Sequence, residues 1–248
     1  MSWTLVNGTL LESDQATVPA GDPAVTLGHS VFETLAWPGG QLSRHLDRLE
    51  YSCSTAFIDM PDRAVVAAEI EAVCAALGEP ARVRITLTGG GVRLVRAEGL
   101  DLTRKHRSVR AVRRPYVHEP VLGGRTKHGS RLPWVVALRR SGVDEVLLER
   151  DDGVLIEGTT SGIVAVVDGA VVTAPDGEEL LTSTTVMSII ERAHRLGIAV
   201  RREFVSASGP WDGLYIASAT RDIAPVVELD GEPLGGWDPV GHSIAAMG

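Results

Sequence analysis

Three Asp-Gly pairs, Asp152-Gly153, Asp168-Gly169 and Asp176-Gly177, punctuate short apolar runs at 145–149, 154–156, 163–167 and 170–173. An Asp-Gly pair readily adopts the positive-φ backbone of a tight hairpin turn. Runs this short are too brief for helices and are bounded by turn residues on each side. The pattern therefore predicts an antiparallel meander in the second half of the chain. A helix follows over 184–196, with Met187, Ile190, Ala193 and Leu196 at helical spacing. Strands near 198–204, 213–218 and 223–229 then lead to a further turn at Asp230-Gly231.

The first half reads differently. Residues 4–12 alternate around Asn7-Gly8, a hairpin signal. Val31 to Ala36 form a strand closed by Pro38-Gly39-Gly40. Leu42, Leu46, Leu49, Cys53 and Ala56 recur at helical spacing, and a second helix spans 62–77 with Gly78 as its stop. Residues 82–88 alternate as a half-buried strand, ended by the turn Gly89-Gly90-Gly91. One more strand covers 109–113. Pro115, Pro120, Gly123 and Gly124 then make a breaker-rich stretch, and a short helix runs from 132 to 141 up to Gly142. Strands and helices mix without regular βαβ alternation, so the class is α+β in two domains. The expected limits are 1–118 for a small domain, 119–126 for a linker and 127–248 for a larger domain.

A length of 248 residues with 44% hydrophobic content supports a sizeable core. The net charge of −8 argues against nucleic acid or an anionic membrane as the main partner. No basic segment followed by an apolar run opens the chain, and no apolar run reaches spanning length. Cys53 and Cys74 fall on helical patterns and read as small buried hydrophobes in a reducing compartment. No His/Cys/Asp cluster has metal-ligand spacing, so no metal is expected. These features imply a cytoplasmic protein acting on small molecules.

Lys127 stands between a loop and an apolar helix. A single lysine is by default a solvated surface side chain. Burial beside Leu132, Pro133, Trp134, Val135 and Val136 would depress its pKa and free the amine for attack on a carbonyl. Glu157, at the end of a strand, is either an edge carboxylate or the partner of a pyridine nitrogen. A carboxylate there favours the protonated ring, which withdraws electrons better than the neutral one. Leu181-Thr182-Ser183-Thr184-Thr185 opens a helix, either as a plain N-cap or as a phosphate site of free N–H groups and hydroxyls. Thr220, in Ser218-Ala219-Thr220, could add a hydroxyl to the same anion. Arg48 is a solvated side chain or a phosphate clamp, with Arg44 as its competitor on the same helix. His29 and Arg93 could face a substrate. Gly89-Gly90-Gly91 has no Gly-Lys-Ser/Thr after it and is no nucleotide loop, and no Gly-x-Ser-x-Gly elbow occurs. A reactive amine, a carboxylate and an anion-binding helix start are three groups that a pyridoxal phosphate enzyme needs.

Taken in order, several segments resemble the fold-type IV pyridoxal phosphate enzymes, the class IV aminotransferase family. They are Gly28-His29-Ser30-Val31-Phe32-Glu33-Thr34, His45-Leu46-Asp47-Arg48-Leu49, Lys127-His128-Gly129-Ser130-Arg131-Leu132, Asp144-Glu145-Val146-Leu147-Leu148, Glu157-Gly158-Thr159-Thr160-Ser161-Gly162-Ile163 and Leu181 to Thr185. The resemblance runs from Leu5 to Val226. It implies that Lys127 is the Schiff-base lysine, Glu157 the pyridine-nitrogen partner and Arg48 the phosphate arginine. It implies further that Thr184 and Thr185 form the phosphate-binding turn and that Leu181 packs on the cofactor ring. The implied fold is a small α/β sandwich domain plus a larger barrel-like domain with pyridoxal phosphate between them, in a homodimer.

The chain also departs from the family pattern. Gly28-His29-Ser30 replaces a common Gly-Asp-Gly, Val25 stands where D-amino acid transaminases have a tyrosine, and Gly90 stands where many members have an arginine. Recognition of the substrate carboxylate is thereby left unassigned. Gly162 replaces a frequent Asn, and Ala219 stands at a phosphate-binding threonine, so Thr220 or Ser218 would serve instead. Lys127-His128-x-x-Arg131-Leu132 and Thr34 resemble the 4-amino-4-deoxychorismate lyases, whereas Thr159, Thr160 and Ser161 resemble the transaminases. The expected activity is transfer of an amino group from a D-amino acid or (R)-amine-like donor to a keto acid. The alternatives are lyase chemistry and a catalytically silent pyridoxal phosphate-binding protein. His29, Thr34, Arg131, Thr159 and Thr160 are the expected substrate residues.

Overall fold

The structure is a computed structural model that describes residues 2–39, 41–117, 121–177 and 180–248. The chain divides into two compact units, Met1–Asp101 with Arg125–Arg131, and Leu102–Gly124 with Leu132–Gly248. Both mix helices with sheet, as the α+β reading expects.

The first unit is built on a five-stranded antiparallel sheet. Its strands are β1 (Ser2–Val6), β2 (Thr9–Glu12), β3 (Ser30–Trp37), β4 (Ala81–Thr88) and β5 (Arg93–Gly99), in the order β2-β1-β5-β4-β3. Asn7 and Gly8 both take positive φ, 48° and 88°, which is the turn that the Asn-Gly pair predicts between β1 and β2. Three helices complete the unit: the single-turn α1 (Pro23–Thr26), α2 (Leu42–Thr55) and α3 (Arg63–Leu77). Asp62 caps α3 by accepting from the Ala64 N–H at 2.7 Å, and Gly78 ends it at φ 77°. Leu46, Leu49 and Cys53 of α2 join Val66, Ile70 and Val73 of α3 and Val83, Ile85, Val95 and Ala97 of the sheet in one core.

Strand β5 has no counterpart in the sequence reading, yet it pairs with both β1 and β4. Only Val95 and Ala97 of its seven residues are buried, between arginines and a glutamate. The apolar alternation is too short to register by itself.

The second unit holds a larger sheet. Its strands are β6 (Val109–Pro115), β7 (Glu145–Glu149), β8 (Val154–Gly158), β9 (Gly162–Val167), β10 (Ala170–Thr173), β11 (Val200–Arg202), β12 (Val205–Ser206), β13 (Gly213–Ser218), β14 (Asp222–Leu229) and β15 (Glu232–Pro233). Their order is β11-β10-β9-β13-β14-β6-β7-β8-β12, with β15 on β14. The helices are α4 (Leu132–Ser141), α5 (Thr184–Arg195) and α6 (Pro239–Ala245).

The Asp-Gly turns act as expected at two places, where β7 pairs with β8 and β9 pairs with β10. The uninterrupted meander does not form. Strands β8 and β9, consecutive in sequence, lie five places apart in the sheet, and the third pair, Asp176-Gly177, follows β10 without opening a hairpin. Three residues, 159–161, join β8 to β9. Such a link spans at most about 15 Å, whereas five strand spacings in a flat sheet need about 24 Å. The sheet must therefore curl back on itself, and this is the barrel-like character of the unit.

The two faces separate cleanly. Ala111, Leu147, Leu155, Ile163, Ala165, Leu214, Ile216 and Ala224 fill one core. Their alternates Val164, Val166, Tyr215, Ala217 and Ile223 pack against Val186, Ile189 and Ala193 of α5 and Ile244 of α6.

The unit limits depart from the sequence expectation of 1–118, 119–126 and 127–248. Strand β6, expected in the small domain, lies in the large sheet between β14 and β7, parallel to both. The Lys127 segment, expected to open the larger domain, belongs to the first unit. Pro120 of the expected linker lies outside the described residues. Among the described residues, no helix is long and apolar enough to cross a membrane.

Candidate active site

In the second unit, strand register gathers most of the candidate residues at one rim of the curled sheet. Leu147 pairs with Gly158, Ala217 with Gly162, and Ser218 with Asp222. The start of β7, the end of β8, the link 159–161, the start of β9 and the turn between β13 and β14 therefore share one end. Helix α5 begins there too. A Cβ placed on Gly162 would meet Val186 Cγ2 at 2.8 Å and Ser183 Cβ at 3.1 Å, so only glycine allows the helix start to come this close.

Glu145 organises that rim, and it is the residue sequence reasoning missed. It is fully buried. Its Oε1 accepts from the Thr159 hydroxyl at 2.5 Å and the Val146 N–H at 3.0 Å. Its Oε2 accepts from the hydroxyls of Thr160 at 2.5 Å and Ser161 at 2.9 Å. The Gly158 N–H donates to Ser161 O at 2.7 Å and closes the turn. Three successive hydroxyls after a strand are the signal that a buried acceptor was required. Thr159 and Thr160, expected to face substrate, both donate their hydroxyls to Glu145.

A recess in this unit is lined by Ile156, Glu157, Leu181, Thr182, Ser183 and Met187, among others. It brings together Glu157, Leu181 and the start of α5. The Ser183 side chain caps the helix by accepting from the Val186 N–H at 3.2 Å. Thr184 and Thr185 are buried in the first turn, where backbone N–H groups have no helical acceptor. Thr220 is half-buried in the turn joining β13 to β14.

Lys127, Arg48, His29, Thr34 and Arg131 all fall in the first unit. The Lys127 segment is hydrogen-bonded along β3. The Phe32 N–H donates to Lys127 O at 2.9 Å and the Gly129 N–H to Ser30 O at 2.7 Å. From the other side the Lys127 N–H donates to Ser52 Oγ at 3.0 Å, and Ser52 in turn donates to Arg48 O at 2.9 Å. The Lys127 ammonium lies 4.9 Å from the centre of the Phe32 ring. Leu132 and Val135 are 71% and 44% exposed, no residue of α4 is buried, and that helix belongs to the second unit. Within the first unit, Phe32 is an apolar neighbour of Lys127.

Arg48 is not solvated. Its Nε donates to Glu33 Oε1 at 2.6 Å and its Nη2 to Glu33 Oε2 at 2.8 Å, a bidentate pair. His45 Nδ1 lies 2.8 Å from the same Oε2. Burial pushes the Glu33 carboxyl up, but the charge and hydrogen bonds of Arg48, the bond from His45 and the charge of Lys127 outweigh it and hold its pKa at about 2. His29 Nε2 sits 2.7 Å from Ala56 O, and the Thr34 N–H lies 3.3 Å from Glu33 Oε2. Arg131 is half-buried near Arg84, whose pKa is lowered to about 10 by burial and by the charges of Arg82, Arg131 and Arg96. Arg93, a possible substrate residue by sequence, is bound at both ends of its guanidinium to Glu69, at 2.6 and 2.7 Å. Among the described residues no group of His, Cys, Asp or Glu is arranged to hold a metal.

Comparison with known proteins adds a family. The family model described as amino-transferase class IV matches residues 30–229. A protein of Methanocaldococcus jannaschii named putative branched-chain-amino-acid aminotransferase is 27% identical over 255 aligned positions, covering 91% of this chain and 87% of that protein. The branched-chain-amino-acid aminotransferase of Escherichia coli K12 is 30% identical over 99 residues, 39% of this chain. Among solved structures, the fold IV transaminase CpuTA1 of Curtobacterium pusillum superposes with a TM-score of 0.88 at 23% identity, covering 99% of this chain and 98% of that one. A hypothetical aminotransferase of Mycobacterium tuberculosis, in a pyridoxal phosphate-bound form, gives 0.88 at 22% identity over 99% and 96%. At these identities the structural likeness establishes the fold.

Proposed function

We propose a donor class and residue roles for this chain, which belongs to the class IV aminotransferase family and is a pyridoxal phosphate-dependent aminotransferase. The observation that carries the cofactor-binding roles within the second unit is its recess, where Glu157, Leu181, Thr182 and Ser183 line one space.

The donor set fits the cofactor. A capped helix start with buried threonines suits a phosphate, since its N–H groups and dipole both favour an anion. Thr184 and Thr185 would hold that phosphate, with Thr220 as a further hydroxyl. Leu181 would pack on the ring. Glu157 would hold a proton on the pyridine nitrogen, as a carboxylate stabilises the adjacent cation. Pyridoxal phosphate, when bound, supplies an electron sink for the negative charge that develops at the substrate Cα.

Lys127 is proposed as the amine that attaches the cofactor and then moves the proton at the substrate Cα. Ser52 and the main chain of β3 hold its backbone, so the amine works from a fixed base. Arg48 is proposed as the phosphate cation. Glu33 sets the plane of its guanidinium, and two of its five N–H groups serve that purpose. Thr159 and Thr160 are proposed to shape the link around Glu145, leaving His29, Thr34 and Arg131 as the candidate substrate contacts. The working assembly we propose is a homodimer.

The donor we propose is a D-amino acid or (R)-amine, with a keto acid as acceptor. A second reading, an L-branched-chain donor, is favoured by the relatives named as branched-chain-amino-acid aminotransferases. A visible absorption spectrum of the cofactor-loaded protein separates the two. Loss of the cofactor band on adding D-alanine, and its return with 2-oxoglutarate, is the expected result. A response to L-leucine alone establishes the second reading. No response to either sinks both donor assignments. A Lys127→Ala protein that retains the lysine-linked band overturns the role of Lys127.

A further inference from the structure

Arg221 sits in the turn between β13 and β14, one residue after Thr220, on the rim that carries Glu145 and the start of α5. It is 8% exposed. Its backbone is fully engaged: the N–H donates to Ser218 O at 3.2 Å and the carbonyl accepts from the His106 N–H at 2.9 Å. Its guanidinium, among the described residues, forms neither a hydrogen bond nor an ion pair. Two carboxylates are close enough to act on its charge, Asp144 and Glu145, but so are two more cations, Arg104 and Arg107.

Neither carboxylate serves as its partner. Asp144 Oδ2 accepts from the Arg110 N–H at 3.0 Å. Glu145 accepts three hydroxyls and the Val146 N–H, which fills the four or so lone-pair sites of a carboxylate. Most of the side chain is covered, yet no side-chain nitrogen of the described residues is both buried and unpaired, so the guanidinium still reaches the surface at the rim and is open to an incoming anion. Planar guanidinium groups match carboxylate and phosphate oxygens through two parallel bonds.

We propose that Arg221 is an oxyanion receptor of the active-site rim, taking the carboxylate of the amino or keto acid or the phosphate of the cofactor. The assignment rests on the aminotransferase reading for the source of the anion and on the geometry of the rim for its place. Carboxylate is the expected source, because the start of α5 already offers a phosphate site.

Full-length wild-type protein, Arg221→Met and Arg221→Lys test it in two titrations. The first follows pyridoxal phosphate binding by absorbance. The second follows the melting temperature of the cofactor-loaded protein against added acetate, a carboxylate probe that needs no turnover. The expected result is at least a tenfold loss of acetate affinity in Arg221→Met, a smaller loss in Arg221→Lys, and unchanged cofactor binding. A tenfold loss for pyridoxal phosphate with unchanged acetate assigns the phosphate instead. Both affinities within twofold of wild type in the variants overturn the proposal. Should Arg221→Met not fold, Arg221→Lys decides alone, since lysine keeps the charge and loses the fork. Wild-type protein that takes up no pyridoxal phosphate defeats the aminotransferase reading. The acetate titration on that same protein still tests Arg221.

Discussion

Glu33 has no access to solvent and still carries a full charge, because Arg48 and His45 surround it. Its folded pKa of about 2 lies below the ordinary 4.5, so the ionised form is favoured by folding. The stability it contributes is present above pH 4.5 and is lost as the pH falls through 2. At 1.36 kcal/mol per unit, the gap corresponds to roughly 3 kcal/mol. Glu33→Gln leaves the guanidinium of Arg48 buried without its counter-charge, and about 3–5 kcal/mol of stability is expected to go, read from denaturant unfolding at pH 7. The acid limb of the stability profile between pH 4.5 and 2 should flatten in the same variant; an unchanged limb would place the titration elsewhere. Arg48 and Glu33 both stand in legible motifs. Their pairing is not legible, since they stand fifteen positions apart on two different elements, β3 and α2.

At the scale of elements, the Lys127 segment depends on β3. Gly129 lies so close to Ser30 that a Cβ would overlap the Ser30 Oγ and approach the Ser30 Cβ and O at 3.4 Å. Gly129→Ala is expected to push the segment off the strand. Displacements on the order of 1 Å can cost about 10²-fold in rate. The expected outcome is a fall of that order in the rate of cofactor bleaching by an amine donor, with the cofactor still bound. A rate within twofold of wild type would mean that the strand pairing does not set the lysine. Elements with strong local signals, such as the Asn7-Gly8 hairpin, the two Asp-Gly hairpins and helices α2, α3 and α5, follow from the sequence. Strand β5 lacks such a signal, whereas α6 has one that the sequence reading passed over, the Asp238 N-cap followed by Pro239. At the break in the meander, the link 159–161 is hydrogen-bonded to the buried Glu145, a residue fourteen to sixteen positions earlier in the chain.

Across the whole molecule, the two cysteines report on the first unit's core. Burial raises the Cys53 thiol to about 12, with a further push from Glu50, and the Cys74 thiol to about 11. At pH 8 both are expected to resist iodoacetamide in the folded protein and to react fully in guanidinium chloride. Rapid labelling of either under native conditions would show that the α2 and α3 core opens. The sequence alone determined the class of the fold, the hairpins, the main helices and, through ordered motifs, the family. Local turn chemistry, helical period and capping act within a few residues of each other and so leave a readable trace. Only the tertiary structure decided that β6 joins the large sheet and that Lys127 packs with the small one. It also decided that Glu145 gathers the hydroxyl run and that the mostly covered Arg221 side chain keeps a guanidinium unpaired among the described residues. Each of those depends on contacts between residues distant in the chain, where burial and pairing outweigh any local preference.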